Sequence, residues 1–536
     1  MRVYPTRIAG DLAIAGMLAV ATGVVLRAAA VVAWGGALLL GLAIAHAVSR
    51  LSVARIRAAG FEMLWRAEPR YRRVARGDTV TVEAEVRNRD NRASRFVELR
   101  PIHSPLLHVE LSPRQGEVPA GGRLSVSVAI TALRAGRHGL HGLSLEVRGS
   151  PGLFEVPLTF ANAFGVDVLP RPFATMLRSA RGGRSRMAAD AGRPGPLSGD
   201  GYELRELRDH QPGDPFKRIA WKASARRGTL LVRDYEREER DVVWLLLDAS
   251  VELWAGEPGQ APLDIAIDEV AAVAQRHLAQ GDRVGLAILS ARVLAWHAPD
   301  RGSAHGAEIL DTLAHAPATL DVDRSDLDEA DVAARVLEHM RPLDPASARR
   351  IRSRELDRLA RRADRLRMRA PLSSSEPFAP SSRERALRRY LDAFGVHSPP
   401  RLEPERAKTD AQLSAALSRL CTERPRPTIV YVWSSPADPV TRPEIKRALL
   451  RVPRRRIDLR WVSMTHERSI PHEGTALAPT VGFAVTLRAR AAEARGERAL
   501  RQIGVRVQHI APRIHPIERL IPQPPDGISS GAARVE

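Results

Sequence analysis

The first fifty residues leave this chain few options. Ile8 to Leu26 and Ala28 to Val48 are apolar runs, broken by Asp11 near the start and Arg27 between them. As α-helix each reaches about 30 Å, the thickness of a bilayer's hydrocarbon core. A buried soluble helix normally keeps one polar face, and neither run shows one. A cleavable signal peptide would carry one shorter apolar core, whereas here the second run continues past any plausible cleavage site. Residues 1–50 are therefore expected to form a two-helix transmembrane hairpin. Arg2 and Arg7 precede the first span, and Arg50, Arg55, Arg57 and Arg66 follow the second. That excess of positive charge assigns both ends to the cytoplasmic side of the inner membrane, with the soluble domains facing the cytoplasm. Arg27 then snorkels to the far interface.

Beyond the hairpin, 536 residues with 44% hydrophobic content leave room for several packed domains. Charged groups sum to +20, and Lys217, Lys222, Lys408 and Lys446 are the lysines among 82 basic residues. The arginines are spread along the chain without an RNA- or DNA-binding module, which argues against a nucleic-acid partner and leaves anionic lipid as the other basic-chain partner. Two lysines in one short segment of an arginine-using chain suit compact ammonium chemistry there. Cys421 is the only cysteine, which excludes an intramolecular disulfide and a CxxC metal site and fits a reducing compartment.

From Arg76 to Pro172 the pattern becomes period-two alternation, as in Thr79 to Val86 and Leu124 to Ile130, with turn signals at Asn88 to Asn91 and Ala120-Gly121-Gly122. This predicts an all-β, antiparallel sandwich over residues 51–172, read as a spacer because it shows no catalytic constellation. Residues 173–198, rich in Arg, Gly, Ala, Ser and Pro, are expected to be a flexible linker, with contact to lipid headgroups as the alternative. Residues 512–536 carry Pro, Gly and Ser with few large apolar groups and are expected to be a disordered tail.

Residues 199–240 are the most specific passage. Glu203-Leu204-Arg205, Pro212-Gly213-Asp214, Arg218-Ile219, Trp221-Lys222 and Ser224-Ala225-Arg226 resemble the signature of DUF58 proteins. The resemblance implies that the sandwich before the signature is immunoglobulin-like, that a von Willebrand factor A-like domain follows the signature, and that a MoxR-type AAA+ ATPase is a working partner. By itself, His210 to Asp214 reads as a turn in which Gly213 is free to take positive φ, covered by Trp221. Two readings stay open. The segment is a rigid cap on the next domain, with Arg218 and Arg226 pairing local acids, or Glu203, Arg205, Asp214, Arg218, Trp221, Lys222 and Arg226 form a partner-docking surface.

From Asp241 strands and helices alternate: strand Val242 to Leu247, helix Pro262 to Ala279, strand Arg283 to Leu289, helix Ala304 to Ala314, strands Thr428 to Trp433 and Ile457 to Met464, helix Ala484 to Gln502 and strand Val505 to Ile510. Alternation of this kind predicts a doubly wound, mostly parallel α/β domain over 241–511. The resemblance implies a metal-ion site at its strand ends. Asp248 and Ser250 match the first two ligands of an Asp-x-Ser-x-Ser motif, and Thr409, before a helix from Ala411 to Leu420, resembles the threonine ligand. Glu252 stands where the second serine would be, and Ser434-Ser435 where Thr-Asp would be. Oxygen donors of this sort suit Mg²⁺ or Ca²⁺, so Asp248, Ser250, Glu252 and Thr409 are the candidate metal ligands, with Asp438 within possible reach. In the other reading Asp248 and Ser250 cap the following turn.

Residues 321–408 interrupt that domain with an acidic stretch, arginine-dense helices and a Ser/Pro-rich loop. They are expected to lie on its ligand-bearing side. Arg349 to Arg354 could meet anionic lipid, although Glu355, Asp357 and Asp364 are interspersed to pair the arginines. No Ser-His-Asp set, P-loop or HExxH motif is present, so no catalytic residue is assigned. The expected function is a membrane-anchored scaffold that binds a MoxR-type ATPase and a protein client. The alternatives are a metal-dependent hydrolase using Asp248, Glu252 or His297 as base, and a metal-free structural protein of the envelope.

Overall fold

The computed structural model describes residues 4–149, 152–171, 194–238 and 478–509, together with 241–464 apart from 255, 353, 374, 403–404, 437–441 and 453–456. The expected tail, and residues 173–193 of the expected linker, lie outside the described residues, as does Asp438. The chain divides into two compact units, 1–168 with 318–400, and 169–317 with 401–536.

The first unit begins with helices Arg7–Val25 and Ala29–Ala59, both long and apolar enough to cross a bilayer. They turn at Arg27, whose φ of 52° is rare for a residue with a Cβ. Close packing explains the glycines: a Cβ at Gly35 would sit 2.7 Å from the Gly16 carbonyl and the Val20 amide. Ile8, Leu18, Trp34 and Leu40 meanwhile point outward with more than half their surface exposed. The hairpin is tied to the sheet region at its base. Thr6 caps the first helix and donates its hydroxyl to the Leu153 carbonyl at 3.1 Å, and His46 meets Phe154 edge-on at 5.0 Å.

Two antiparallel sheets follow, one of seven strands and one of four. In the smaller sheet Thr79–Asn88 pairs with Arg123–Ala132, and Val82, Ala84, Val86, Val126, Val128 and Ile130 turn into the shared core. The other sheet contributes Phe96, Leu99, Leu140, Leu145, Phe164 and Val166, so the alternation visible in the sequence is the alternation of burial.

Helices Glu329–Leu343, Leu356–Arg367 and Ser382–Phe394 belong to this unit as well. Residues 318–400 thus pack with the sheet-rich region, whereas the expectation had 321–408 as an insertion of the α/β domain. The reason is amphipathic spacing. Val332, Val336, Met340, Leu359, Ala363, Leu366, Leu387, Tyr390, Leu391 and Phe394 form their own core, joined by Ala163 from the sheet region. Gly139 and Gly395 let the two backbones touch, with a Gly139 amide to Gly395 carbonyl bond of 3.2 Å, and a Cβ at Gly139 would lie 2.1 Å from the Phe394 carbonyl. Arg137 pairs with Asp392 at 3.1 Å. Four histidines line the same seam. His138 Nε2 donates to the Arg134 carbonyl, which leaves Nδ1 to accept from His397 at 2.7 Å, and His141 lies 3.2 Å from His339, which also bonds Tyr390 at 3.0 Å. His141 and His339 border a cavity of about 260 Å³. Within the helical module Glu355 pairs with Arg358, Asp357 with Arg383 and Asp364 with Arg367, so the interspersed acids do pair arginines.

The second unit opens with a two-stranded ribbon, Pro194–Asp209 against Leu231–Glu238, which takes in the end of the expected linker. Then comes a six-stranded sheet in the order Val293–Asp300, Arg283–Leu289, Val242–Asp248, Ile429–Ser434, Asp458–Ser463, Arg506–His509, all parallel except the first. Trp244, Leu246, Val430, Val432 and Trp461 pack against helices Arg406–Leu420, Pro443–Leu449 and Ala478–Gln502. The alternate residues Val243, Leu245 and Leu247 are equally buried, and helix Pro262–Ala279 packs on their strand and the next. Chain order reverses between Val242–Asp248 and Ile429–Ser434, so the ends of these two strands form the topological switch point, where open α/β sheets present their ligand groups.

Candidate functional site

Asp248 ends the central strand and Ser434 ends its neighbour, and both are buried. The Ser250 amide donates to one Asp248 oxygen at 3.1 Å, and the Ser434 hydroxyl donates to the other at 2.5 Å. Helix Arg406–Leu420 starts five residues before the expected Ala411, because Lys408-Thr409-Asp410 forms its first turn rather than a loop. The result is a side chain that sequence reasoning passed over. Arg406 reaches into the centre of the cluster, with Nη2 at 3.1 Å from Asp248 and 3.2 Å from Ser434, Nη1 at 3.1 Å from Ser250 and in short contact with Glu252, and Nε at 3.1 Å from Asp410. A second arginine, Arg442, pairs Asp410 at 2.9 Å and donates to the Ser435 carbonyl at 2.6 Å.

Three of the four candidate metal ligands, Asp248, Ser250 and Glu252, thus converge on one point, and the guanidinium of Arg406 holds that point. Thr409 is buried, but its hydroxyl turns back to the Glu405 carbonyl at 3.4 Å, as a helical threonine's does. Among the described residues no group of three His, Cys, Asp or Glu side chains is arranged to hold a metal ion. Burial acts to raise the Asp248 pKa, but the charges of Arg406 and Arg442 and the bonds from Ser250 and Ser434 outweigh it and hold the carboxyl below its ordinary value. His297, the remaining candidate base, lies on the edge strand two strands away, bonded to Thr312 at 2.9 Å and Glu308 at 3.0 Å.

The signature segment forms the second site. Ile219 bridges to Val232, a 3-10 turn spans Phe216–Arg218 and a short helix spans Trp221–Arg227. Asp214 is its organiser: Arg208 donates to it at 2.6 and 2.8 Å and the Gln211 amide at 2.8 Å, with Gly213 at φ 105° closing the turn. The Arg208 bond, then the Gln211 amide, lowers the Asp214 pKa to about 2. Ser224 accepts from the Leu231 amide at 2.9 Å, locking the short helix to the ribbon. Glu203 and Arg205 lie in strand Pro194–Asp209, and their side chains lie outside the description.

Trp221 departs from the cap reading. It is 63% exposed, and Phe216, five positions earlier in the chain, is 76% exposed. Lys217, Lys222, Arg226 and Arg227 are exposed as well, Arg218 is half-buried, and no acidic residue occurs from Pro215 to Leu230. Two exposed aromatics and four exposed cations thus lie within twelve residues of one another in the sequence.

Residues 206–370 match the family described as "Protein of unknown function DUF58". Uncharacterized proteins of Mycobacterium bovis and Mycobacterium tuberculosis are each 30% identical to this chain over 123 residues, which is 23% of this chain and 39% of theirs. The matched stretch therefore spans well under half the length of these curated relatives. Among solved structures, PapD-like domain 7 of human CEP192 is similar at 13% identity and a TM-score of 0.16, over 20% of this chain and 84% of that one.

Proposed function

Proceeding from a chain that carries a DUF58 segment, we propose that it is a membrane-anchored, non-enzymatic scaffold whose signature ribbon docks an acidic protein surface. The partner is a MoxR-type AAA+ ATPase that works with it on a protein client. One observation carries the reading: Phe216 and Trp221 stand exposed among Lys217, Lys222, Arg226 and Arg227. Exposed aromatics beside basic side chains are the composition of interface anchors, and the charge selects an acidic counterpart. Asp214 and Ser224 serve the docking indirectly by holding the turn and the short helix in place.

In this reading the N-terminal helices span the inner membrane with both ends in the cytoplasm, the sheet-rich region is an immunoglobulin-like spacer and the α/β unit is von Willebrand A-like. The outward-facing Ile8, Leu18, Trp34 and Leu40 support the anchor. The hydrolase reading draws no support from His297, which stands apart from Asp248. The test uses the full chain in nanodiscs of neutral lipid with the purified MoxR-type ATPase of the same organism. Binding is expected to weaken at least tenfold in Phe216→Ala/Trp221→Ala and in Lys222→Glu/Arg226→Glu, in keeping with anchor energies of about 2 kcal/mol. Equal affinity in all three proteins would refute this assignment.

A further inference from the structure

We infer that Arg406 is the built-in cation of the strand-end site, and that this site holds its shape without a divalent metal ion. The inference rests on the cluster alone and stands whether or not the signature ribbon docks the ATPase. A guanidinium has five N–H donors in a fixed fork. Here five oxygens surround its nitrogens: it donates to Ser434, Ser250 and Glu252 and forms ion pairs with Asp248 and Asp410, both at 3.1 Å. Each of the three nitrogens has an oxygen partner, and no oxygen of Asp248 is left without a donor, since the Ser250 amide and the Ser434 hydroxyl complete it.

Mg²⁺ or Ca²⁺ would need six or more oxygens at about 2.0–2.6 Å around one point. The oxygens present here surround the guanidinium instead, so an ion could enter only by expelling Arg406 or by sitting against its positive charge. Charge balance gives the same answer. Asp248, Glu252 and Asp410 set against Arg406 and Arg442 leave a single negative charge. A divalent ion added to that set overshoots to positive, whereas a divalent ion in place of Arg406 brings it to neutral. The same oxygens would therefore be able to hold a metal ion once the arginine is gone. Arg406 is a positioning residue: it sits at the start of helix Arg406–Leu420 and ties that helix to the ends of both central strands.

The test is calorimetric titration of Mg²⁺ and of Ca²⁺ into the full chain in detergent, for the native protein, Arg406→Ala, and Arg406→Ala/Asp248→Ala. The native protein is expected to give no saturable heat. Arg406→Ala should bind one ion with a dissociation constant below about 1 mM, gaining thermal stability with it, and the added Asp248→Ala should abolish the binding. Arg406→Ala that folds only when Mg²⁺ or Ca²⁺ is supplied supports the inference equally. Saturable heat in the native protein that disappears in Arg406→Ala/Asp248→Ala would overturn it. So would an Arg406→Ala protein that folds without metal and binds none.

Discussion

Replacing Asp248 by asparagine keeps the size of the side chain and removes its charge, which isolates what the carboxylate does. Both of its oxygens are occupied. One accepts the Ser250 amide, and the other accepts the Ser434 hydroxyl and forms an ion pair with Arg406 Nη2. Asparagine can satisfy one side only, and whichever way it turns, its amino group faces a donor. Breaking a buried ion pair from one side costs about 3–5 kcal/mol. Arg406 keeps Glu252 and Asp410, so the loss should fall at the lower end, about 3 kcal/mol. For a unit of this size about 2–4 °C is lost per kcal/mol, which gives a fall in Tm of roughly 6–12 °C. Trp244, Trp433 and Trp461 are fully buried in the same sheet, so intrinsic fluorescence reports its unfolding. Because the folded pKa of Asp248 lies below its unfolded value, its contribution is present above about pH 4 and fades as pH falls through the folded pKa. Asp248→Asn should accordingly flatten the acid limb of Tm against pH. Arg406→Met, which takes the shared cation from Asp248, Glu252 and Asp410 and leaves Arg442 paired with Asp410, should cost more than Asp248→Asn, and the double variant less than the sum of the two. A Tm shift under about 2 °C for Asp248→Asn would refute the reasoning.

Further outcomes follow from the first unit. Burial lowers the pKa of His141 to about 4, with His103 adding to it, and lowers that of His339 to about 3, with His141 adding to it. In the unfolded chain both take up protons through about pH 6.5, so stability falls as pH drops below that value, by at most about 2 kcal/mol per histidine at pH 5. The hydrogen-exchange protection factors at Gly139 and Gly395, corrected for the intrinsic rate at each pH, should fall between pH 7 and pH 5, and His339→Gln should blunt that fall; protection independent of pH would count against neutral histidines in the seam. In the hairpin, Gly35→Leu would force a side chain against the Gly16 carbonyl and the Val20 amide. Disulfide crosslinking between Gly16→Cys and Leu39→Cys, in a Cys421→Ser background, should drop several-fold when Gly35→Leu is added, and unchanged crosslinking would contradict the close packing.

Much of this fold is readable from local pattern. Helix Pro262–Ala279 and strand Arg283–Leu289 stand where apolar periodicity put them, and the alternation at Thr79 to Val86 matches burial at Val82, Ala84 and Val86. What was missed depends on distant partners. Strand Val293–Asp300 is an antiparallel edge with mixed exposure, so it carries neither a continuous apolar run nor clean alternation. The packing of residues 318–400 with the sheet-rich region rests on Gly139, Gly395 and a histidine seam whose members are about 200 residues or more apart. Arg406 was hidden among many arginines. The one available signal was its place four residues before Asp410, an i, i+4 pairing that starts the helix one turn earlier than expected. The exposure of Trp221 was not legible for a related reason: sequence alone does not say which face of a seven-residue helix meets the core.

The most direct test of the scaffold reading is photocrosslinking in native membranes with Trp221→p-benzoylphenylalanine, in cells that express the MoxR-type ATPase. The account predicts a crosslink to an acidic surface of that ATPase, lost when Lys222→Glu and Arg226→Glu are added. A crosslink to lipid alone, or none while the protein remains folded and membrane-bound, would contradict it.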